Sequence, residues 1–136
     1  GPRPLIAVLD ASAAIELLLS RSGANELSEL ISKAELVLAP DLYVAEVSNA
    51  LWKHASSSGD SGSYQELLDD AVALPDDFVD SASLYREAFA VSVKHQHPVY
   101  DALYLVVARR NSATMLTVDR RLRSLAATLQ IAAAPS

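Results

Sequence analysis

The segment from residue 97 to residue 121 constrains the fold more than any other part of this 136-residue chain. Pro98 suits the first position of a helix, because its φ is preset and an N–H there would have no helical partner. Residues 102–108 are then apolar on every face, which predicts a helix at the centre of the domain. Residues 114–118 are short and rich in β-branched side chains, as in a buried strand. We therefore expect a central helix that leads directly into a buried sheet.

Short apolar runs alternate with helical patterns along the rest of the chain. We predict strands at residues 5–9, 36–38, 78–79, 114–118 and 130–132. We predict one helix that Ser12 caps and Ser22-Gly23 breaks, and further helices at about residues 24–33, 41–54, 64–73, 81–96, 98–110 and 120–129. In the helix at 81–96, Leu84, Ala88, Phe89 and Val91 are expected to face inward. The alternation predicts an α/β fold with three layers (α/β/α), a short and mainly parallel central sheet and a protruding helical hairpin.

Composition favours one globular domain spanning residues 1–136. The chain is 51% hydrophobic and 21% charged, and it contains no cysteine, as expected in a reducing cytoplasm. The apolar run at 102–108 is far too short to span a membrane. Gly1-Pro2 without an initiator Met is typical of an expression remnant, so we expect residues 1–4 to be flexible and the natural start to be missing. The serine- and glycine-rich residues 56–63 are predicted to be a mobile loop at the hairpin tip.

Four acidic residues occupy positions from which they can share one site. Asp10 and Asp119 each follow a predicted buried strand, and ligands of open α/β sheets bind beyond the carboxyl ends of the strands. Asp101 lies in the first turn of the central helix, and Glu46 borders the apolar stripe of another. At about 5 Å and an effective dielectric near 20, each carboxylate pair would cost roughly 3 kcal/mol, which favours protonation or a divalent cation. Oxygen ligands without cysteine favour Mg²⁺ or Mn²⁺.

Each acid also has a structural explanation when taken alone. Asp10 and Asp119 could cap helices, Asp101 could interact with the helix dipole, and Glu46 could be a solvated helix residue. The net charge of −6 argues against broad electrostatic binding of nucleic acid. Two alternatives therefore stay open: an acidic module that binds a basic peptide without catalysis, and another Mg²⁺-dependent phosphohydrolase on a similar sheet. The latter usually carries two acids together after the first strand, whereas Asp10-Ala11-Ser12 offers one.

The neighbours of the four acids carry a family resemblance. In the order and spacing of four segments, the chain resembles the PIN-domain ribonucleases, in particular the VapC-type toxins of VapBC toxin–antitoxin pairs. The four segments are Asp10-Ala11-Ser12 and residues 42–51, 100–104 and 117–122. The resemblance covers residues 6 to about 125 and implies a PIN-like fold. One departure is His97-Pro98, where relatives often carry a small or hydroxyl residue before the Tyr-Asp pair. We expect this departure to affect the helix cap more than the site.

The resemblance also implies an activity and partners. It implies a Mg²⁺- or Mn²⁺-dependent endoribonuclease, the toxin of a type II pair, that hydrolyses RNA, forms a homodimer and binds a cognate VapB-like antitoxin, which usually delivers a basic side chain into the acidic pocket. By similarity, the residues that would bind the metal are Asp10, Glu46, Asp101 and Asp119. Ser12 and Thr117 match hydroxyl positions that orient a metal-bound water or a phosphate.

Basic, histidine and aromatic residues allow two interpretations each. Five of the eleven basic residues fall in or just after the 97–121 segment, and they either contact the RNA backbone or form weak surface ion pairs. The candidates for the RNA backbone are Arg109, Arg120 and Arg121. His95 and His97 are two residues apart, so they should face different ways and not form a metal pair. Trp52, Tyr43 and Tyr64 are expected to pack the hairpin or a dimer face.

Overall fold

A parallel sheet forms the centre of the domain. The structure, a computed structural model, describes residues 3–58 and 61–136, and in this part of the chain it contains five strands, all parallel. The strands are β1 (Ile6–Leu9), β2 (Leu36–Pro40), β3 (Asp77–Val79), β4 (Thr114–Leu116) and β5 (Ala133–Ala134). Their order is β3-β2-β1-β4-β5. β1 is thus the middle strand, which explains why its sequence is almost continuously apolar.

Helices cover both faces of this sheet. They are α1 (Ala11–Leu18), α2 (Ala24–Lys33), α3 (Leu42–Ser58), α4 (Ser61–Ala73), α5 (Tyr85–His95), α6 (Val99–Arg110) and α7 (Arg120–Thr128), with a 3-10 turn at Ser81–Ser83. Parallel strands need crossover connections, and these are almost always right-handed. The chain moves from β1 to β3 and then back across the sheet, so α1–α4 cover one face and α5–α7 cover the other. The expected three-layer α/β/α fold is confirmed.

The helix α6 is the central helix that the sequence predicts. Residues 102–108 are all buried, with no side chain more than 6% exposed, and α6 contacts β1, β2 and β4. Pro98 is the N-cap residue of α6 and not its first helical residue, so the helix begins one position later than predicted. Because α6 returns the chain to the start of β4, its N-terminus lies at the carboxyl edge of the sheet. None of the helices in residues 3–58 and 61–136 is long and apolar enough to cross a membrane.

The hairpin region differs from the sequence prediction. Of the residues predicted as a mobile loop, 56–58 belong to α3 and 61–63 belong to α4, while residues 59–60, like residues 1–2, lie outside the described residues. Serine is compatible with this helix end, because the Ser57 hydroxyl donates to the His54 carbonyl at 2.9 Å. The hairpin itself is present: α3 packs on α4, and the buried Tyr43 hydroxyl donates to the Ala71 carbonyl at 2.7 Å.

Three further predictions were wrong in detail. Asp10, not Ser12, caps α1 through its side chain. Phe89 is 63% exposed, because at about 100° per residue it lies on the side of α5 away from the buried Leu84, Ala88 and Val91. The last strand begins at residue 133 instead of 130, because Gln130 takes a positive φ of 59° and the Ile131 N–H bonds back to the Ala126 carbonyl, which extends the turn after α7.

Candidate active site

Asp10 lies buried at the carboxyl end of the middle strand. One carboxylate oxygen accepts hydrogen bonds from the Ala13 N–H and the Ser12 hydroxyl, both at 2.8 Å, and the other accepts from the Thr117 hydroxyl at 2.5 Å. Only 5% of the residue is exposed. Loss of solvent raises the pKa of Asp10 to about 7 although these three hydrogen bonds favour its charged form. Asp10 is thus a helix cap and an acid of the site at the same time.

Ser12 and Thr117 hold the ends of two neighbouring strands together. β1 and β4 are paired at Leu9 and Leu116, so the residues that follow them emerge side by side. The two hydroxyl oxygens lie 3.2 Å apart, and they accept the backbone N–H groups of Val118 and Asp119, respectively, each at 3.0 Å. Both predicted hydroxyl positions therefore lie next to Asp10, where they fix its carboxylate and the backbone that carries Asp119.

Glu46 reaches the same edge from the second turn of α3. Its carboxylate accepts a hydrogen bond from the Tyr104 hydroxyl at 2.6 Å. Burial is the main cause that raises the pKa of Glu46; the Tyr104 hydrogen bond opposes it, and the nearby charges of Asp101 and Asp119 add to it. Tyr104 contacts an acid of the candidate site, whereas its apolar segment predicted only that it would be buried in the core. Its position one turn after Asp101, on the same side of α6, was the available signal.

Asp101 and Asp119 complete the group, and each uses one carboxylate oxygen in the fold. Asp119 caps α7, accepting the N–H groups of Arg121 at 2.8 Å and Leu122 at 3.1 Å on the same oxygen. Asp101 Oδ2 lies 2.8 Å from Nε2 of His97. The charge of Asp119 acts on Asp10, and the charges of Asp101 and Asp119 act on Glu46. We call the four residues Asp10, Glu46, Asp101 and Asp119 the acidic cluster.

An open cavity of about 510 Å³ lies beside the acidic cluster. It is lined by Ser12, Glu46 and Asp119, and by basic residues that include Arg21 and Lys53. A polyanion can therefore approach the acids between cationic side chains, which the net charge of the chain alone does not reveal. The cavity gives such a ligand access to Glu46 and Asp119.

The chemistry of the acidic cluster fits a hard divalent cation. All its donors are carboxylate oxygens. The charge of Asp119 raises the pKa of Asp10, and the charges of Asp101 and Asp119 raise the pKa of Glu46, a repulsion that a cation would relieve. In residues 3–58 and 61–136, however, no three His, Asp or Glu side chains stand close enough together to act as metal ligands. Asp101 and Asp119 each have one oxygen engaged elsewhere. A cation held by the whole cluster would therefore take the remaining oxygen of each of these two side chains, and the four carboxylates would have to move closer together around it.

The basic residues of the 97–121 segment and α7 fall in two places. Arg109 lies at the C-terminus of α6, about 12 Å along the helix from Asp101, and binds Glu87 with Nη2 and Oε2 2.7 Å apart. Partial burial opposes ionisation of Glu87, but Arg109 and Arg110 outweigh it and lower the pKa of that carboxyl. The structure does not bring Arg109 to the acidic cluster. Arg120 and Arg121, by contrast, directly follow Asp119 and are exposed.

Known proteins resemble this chain in sequence and in fold. Residues 7–127 match the family described as PIN domain. Ribonuclease VapC3 of Pyrobaculum aerophilum is 35% identical over 121 residues, which are 85% of this chain and 90% of that protein. The crystal structure of PAE2754 from the same organism has a TM-score of 0.71 at 25% identity and covers 89% of this chain and 79% of its own. VapBC2 from Rickettsia felis, bound to a DNA fragment from its promoter, has a TM-score of 0.66 at 15% identity, over 96% and 98% of the chains, and shares the fold alone.

Proposed function

This chain belongs to the PIN-domain family, and from that premise we propose that it is a Mg²⁺- or Mn²⁺-dependent endoribonuclease and the toxin of a type II toxin–antitoxin pair. The observation that carries the proposal is the convergence of four acids, from four separate segments, beside a cavity at one edge of the sheet. The 35% identity to a VapC ribonuclease supports RNA as the substrate. A cytoplasmic location follows from that substrate.

The proposed chemistry assigns a task to each part of the site. A bound divalent cation would lower the pKa of a water molecule and offset charge on the scissile phosphate. Asp10 is held on both oxygens, so it offers a ligand whose position is fixed before the cation arrives. Glu46 is oriented by Tyr104, and its raised pKa makes its carboxylate a better acceptor for a proton from water. Arg120 and Arg121 lie where they can contact backbone phosphates and leave the acids to the cation.

Cleavage of a structured RNA tests this function. We expect cutting by the wild type in Mg²⁺ or Mn²⁺, none in EDTA, and a loss of at least about 100-fold in Asp10→Asn and Asp101→Asn, since a metal contributes several kcal/mol. Asp70→Asn, at an exposed position on α4, is the matched control and should cut normally. Because water is the nucleophile, a 2′-O-methyl group at the cleaved position should not prevent cutting. Cleavage that survives Asp101→Asn or EDTA would contradict the proposal.

The partners we propose are a VapB-like antitoxin and a second copy of this chain. The acidic cluster can accept a basic side chain from the antitoxin in place of a cation. For the homodimer we propose α5, where Tyr85, Phe89 and Val93 recur every four residues and are 53%, 63% and 64% exposed. These side chains present roughly 300 Å² of apolar surface, more than a third of the about 800 Å² per partner in a stable interface. A preparation that binds a basic peptide tightly but never cuts RNA would instead favour the non-catalytic module.

A further inference from the structure

His97 is placed against Asp101 by the turn that joins α5 to α6. Gln96 ends α5 in the left-handed region with a φ of 52°, and the His97 N–H bonds back to the Ser92 carbonyl at 3.2 Å. Pro98, with its fixed φ, is then the N-cap residue of α6. His97 and Asp101 are therefore four residues apart across the start of the helix, where side chains meet. The conformation of the turn, and not chance rotation of a surface side chain, directs the imidazole to this acid.

The contact is sheltered and specific. Nε2 of His97 lies 2.8 Å from Asp101 Oδ2, and the two side chains are only 13% and 24% exposed. Since a carboxylate can only accept, Nε2 is the donor. In the described residues no other hydrogen bond to the Asp101 side chain is found, and the negative charges of Asp101 and Glu46 repel each other. The sequence predicts an effect of His97 on the helix cap, and the structure adds a direct contact between its side chain and Asp101.

We propose that His97 is a positioning residue for Asp101: it holds Oδ2 of this carboxylate, so that Oδ1 remains available to a divalent cation in the acidic cluster. The inference rests on the proposed function. Carboxylates that ligate metals are themselves usually hydrogen-bonded, and loss of such a partner typically lowers metal affinity by about 10- to 100-fold. Without His97, repulsion from Glu46 would turn Asp101 toward solvent. His97 itself contacts neither the cation nor the RNA.

Binding of Mn²⁺ alone to the purified full chain, followed by electron paramagnetic resonance, tests this role without measuring cleavage. His97→Ala should weaken Mn²⁺ binding by about 10- to 100-fold. His97→Gln should restore most of it, because its amide N–H reaches about as far as Nε2. His97→Asn should not, because it is polar but too short. His95→Ala, two residues earlier, is the matched control and should bind as the wild type does.

The outcomes separate this inference from the proposed function. Wild-type protein that binds Mn²⁺ with an affinity that His97→Ala leaves unchanged would overturn the role of His97 alone. Wild-type protein that binds no Mn²⁺ would overturn the metal dependence of the proposed function and this inference with it. If His97→Ala does not fold in EDTA, judged by thermal unfolding, the two polar variants decide: equal affinities for His97→Gln and His97→Asn would refute the positioning role.

Discussion

Replacing Asp10 by Asn should stabilise the metal-free domain while it abolishes cleavage. The carboxyl is 5% exposed, and burial raises its pKa from 3.8 to about 7. Because the folded pKa is the higher one, the contribution of this group to stability is fully present below about pH 4 and is lost as the pH rises to about 7. The difference between the two pKa values corresponds to an upper limit of about 4 kcal/mol above pH 7, at about 1.4 kcal/mol per pKa unit.

Asparagine can keep most of the hydrogen bonds of Asp10. Its side-chain oxygen can accept the Ala13 N–H and the Ser12 hydroxyl, and asparagine is as good an N-cap residue as aspartate. The amide must then donate to the Thr117 hydroxyl, which already accepts the Asp119 N–H and would have to turn its own hydrogen away. This rearrangement costs about 1 kcal/mol. We therefore expect a net gain of about 2–3 kcal/mol at pH 8 and none at pH 4.

Urea unfolding in EDTA between pH 4 and pH 8 measures this difference. The free energy of unfolding of Asp10→Asn minus that of the wild type should rise with pH, whereas Asp70→Asn should track the wild type throughout. Mg²⁺ at pH 8 should stabilise the wild type, by about 2.7 kcal/mol at 100 times its Kd, and leave Asp10→Asn unchanged. A difference between Asp10→Asn and the wild type that stays constant across this pH range would refute the argument from burial.

Four further substitutions test other contacts. Tyr104→Phe removes the hydrogen bond that lowers the pKa of Glu46, so the acidic limb of the pH–rate profile should move to higher pH; a profile identical to that of the wild type would contradict this assignment. Arg120→Ala should raise the KM for RNA and reduce the salt dependence of binding, whereas Arg109→Ala should change neither and lower stability by less than about 1 kcal/mol, as urea unfolding can show. Phe89→Glu should convert a homodimer to monomers in light scattering without loss of fold by circular dichroism; an unchanged mass would exclude this face.

Much of the fold follows from apolar patterns in the sequence. β1 and α6 are surrounded by other elements, so their uninterrupted apolar runs identify both. Hydrophobicity without helical spacing is a poor guide: it predicts an inward Phe89, whereas at about 100° per residue Phe89 falls in register with the exposed Tyr85 and Val93. The start of β5 depends on the left-handed Gln130, a conformation that tertiary contacts select and that no strong local signal announces.

The acids of the candidate site could be predicted from the sequence, but the side chains that hydrogen-bond to them could not. Asp10 and Asp119 follow adjacent parallel strands, so their common edge could be deduced from the strand pattern. The partners of Glu46 and Asp101 could not be deduced. Tyr104 meets Glu46 across 58 positions of sequence, and the imidazole of His97 reaches Asp101 only because of the turn after α5. Contacts of this kind depend on helix packing and side-chain rotamers, which one sequence does not specify.

The hydrogen bond between Thr117 and Asp10 joins residues 107 positions apart. A ribosome must therefore synthesise the chain through residue 119 before the pocket can exist. Any fragment that terminates earlier, through premature release or proteolysis, lacks Thr117 and Asp119 and leaves Asp10 without its strongest restraint. Such fragments should be harmless to the cell that makes them, so the order of synthesis itself delays the appearance of activity until Thr117 and Asp119 have been added.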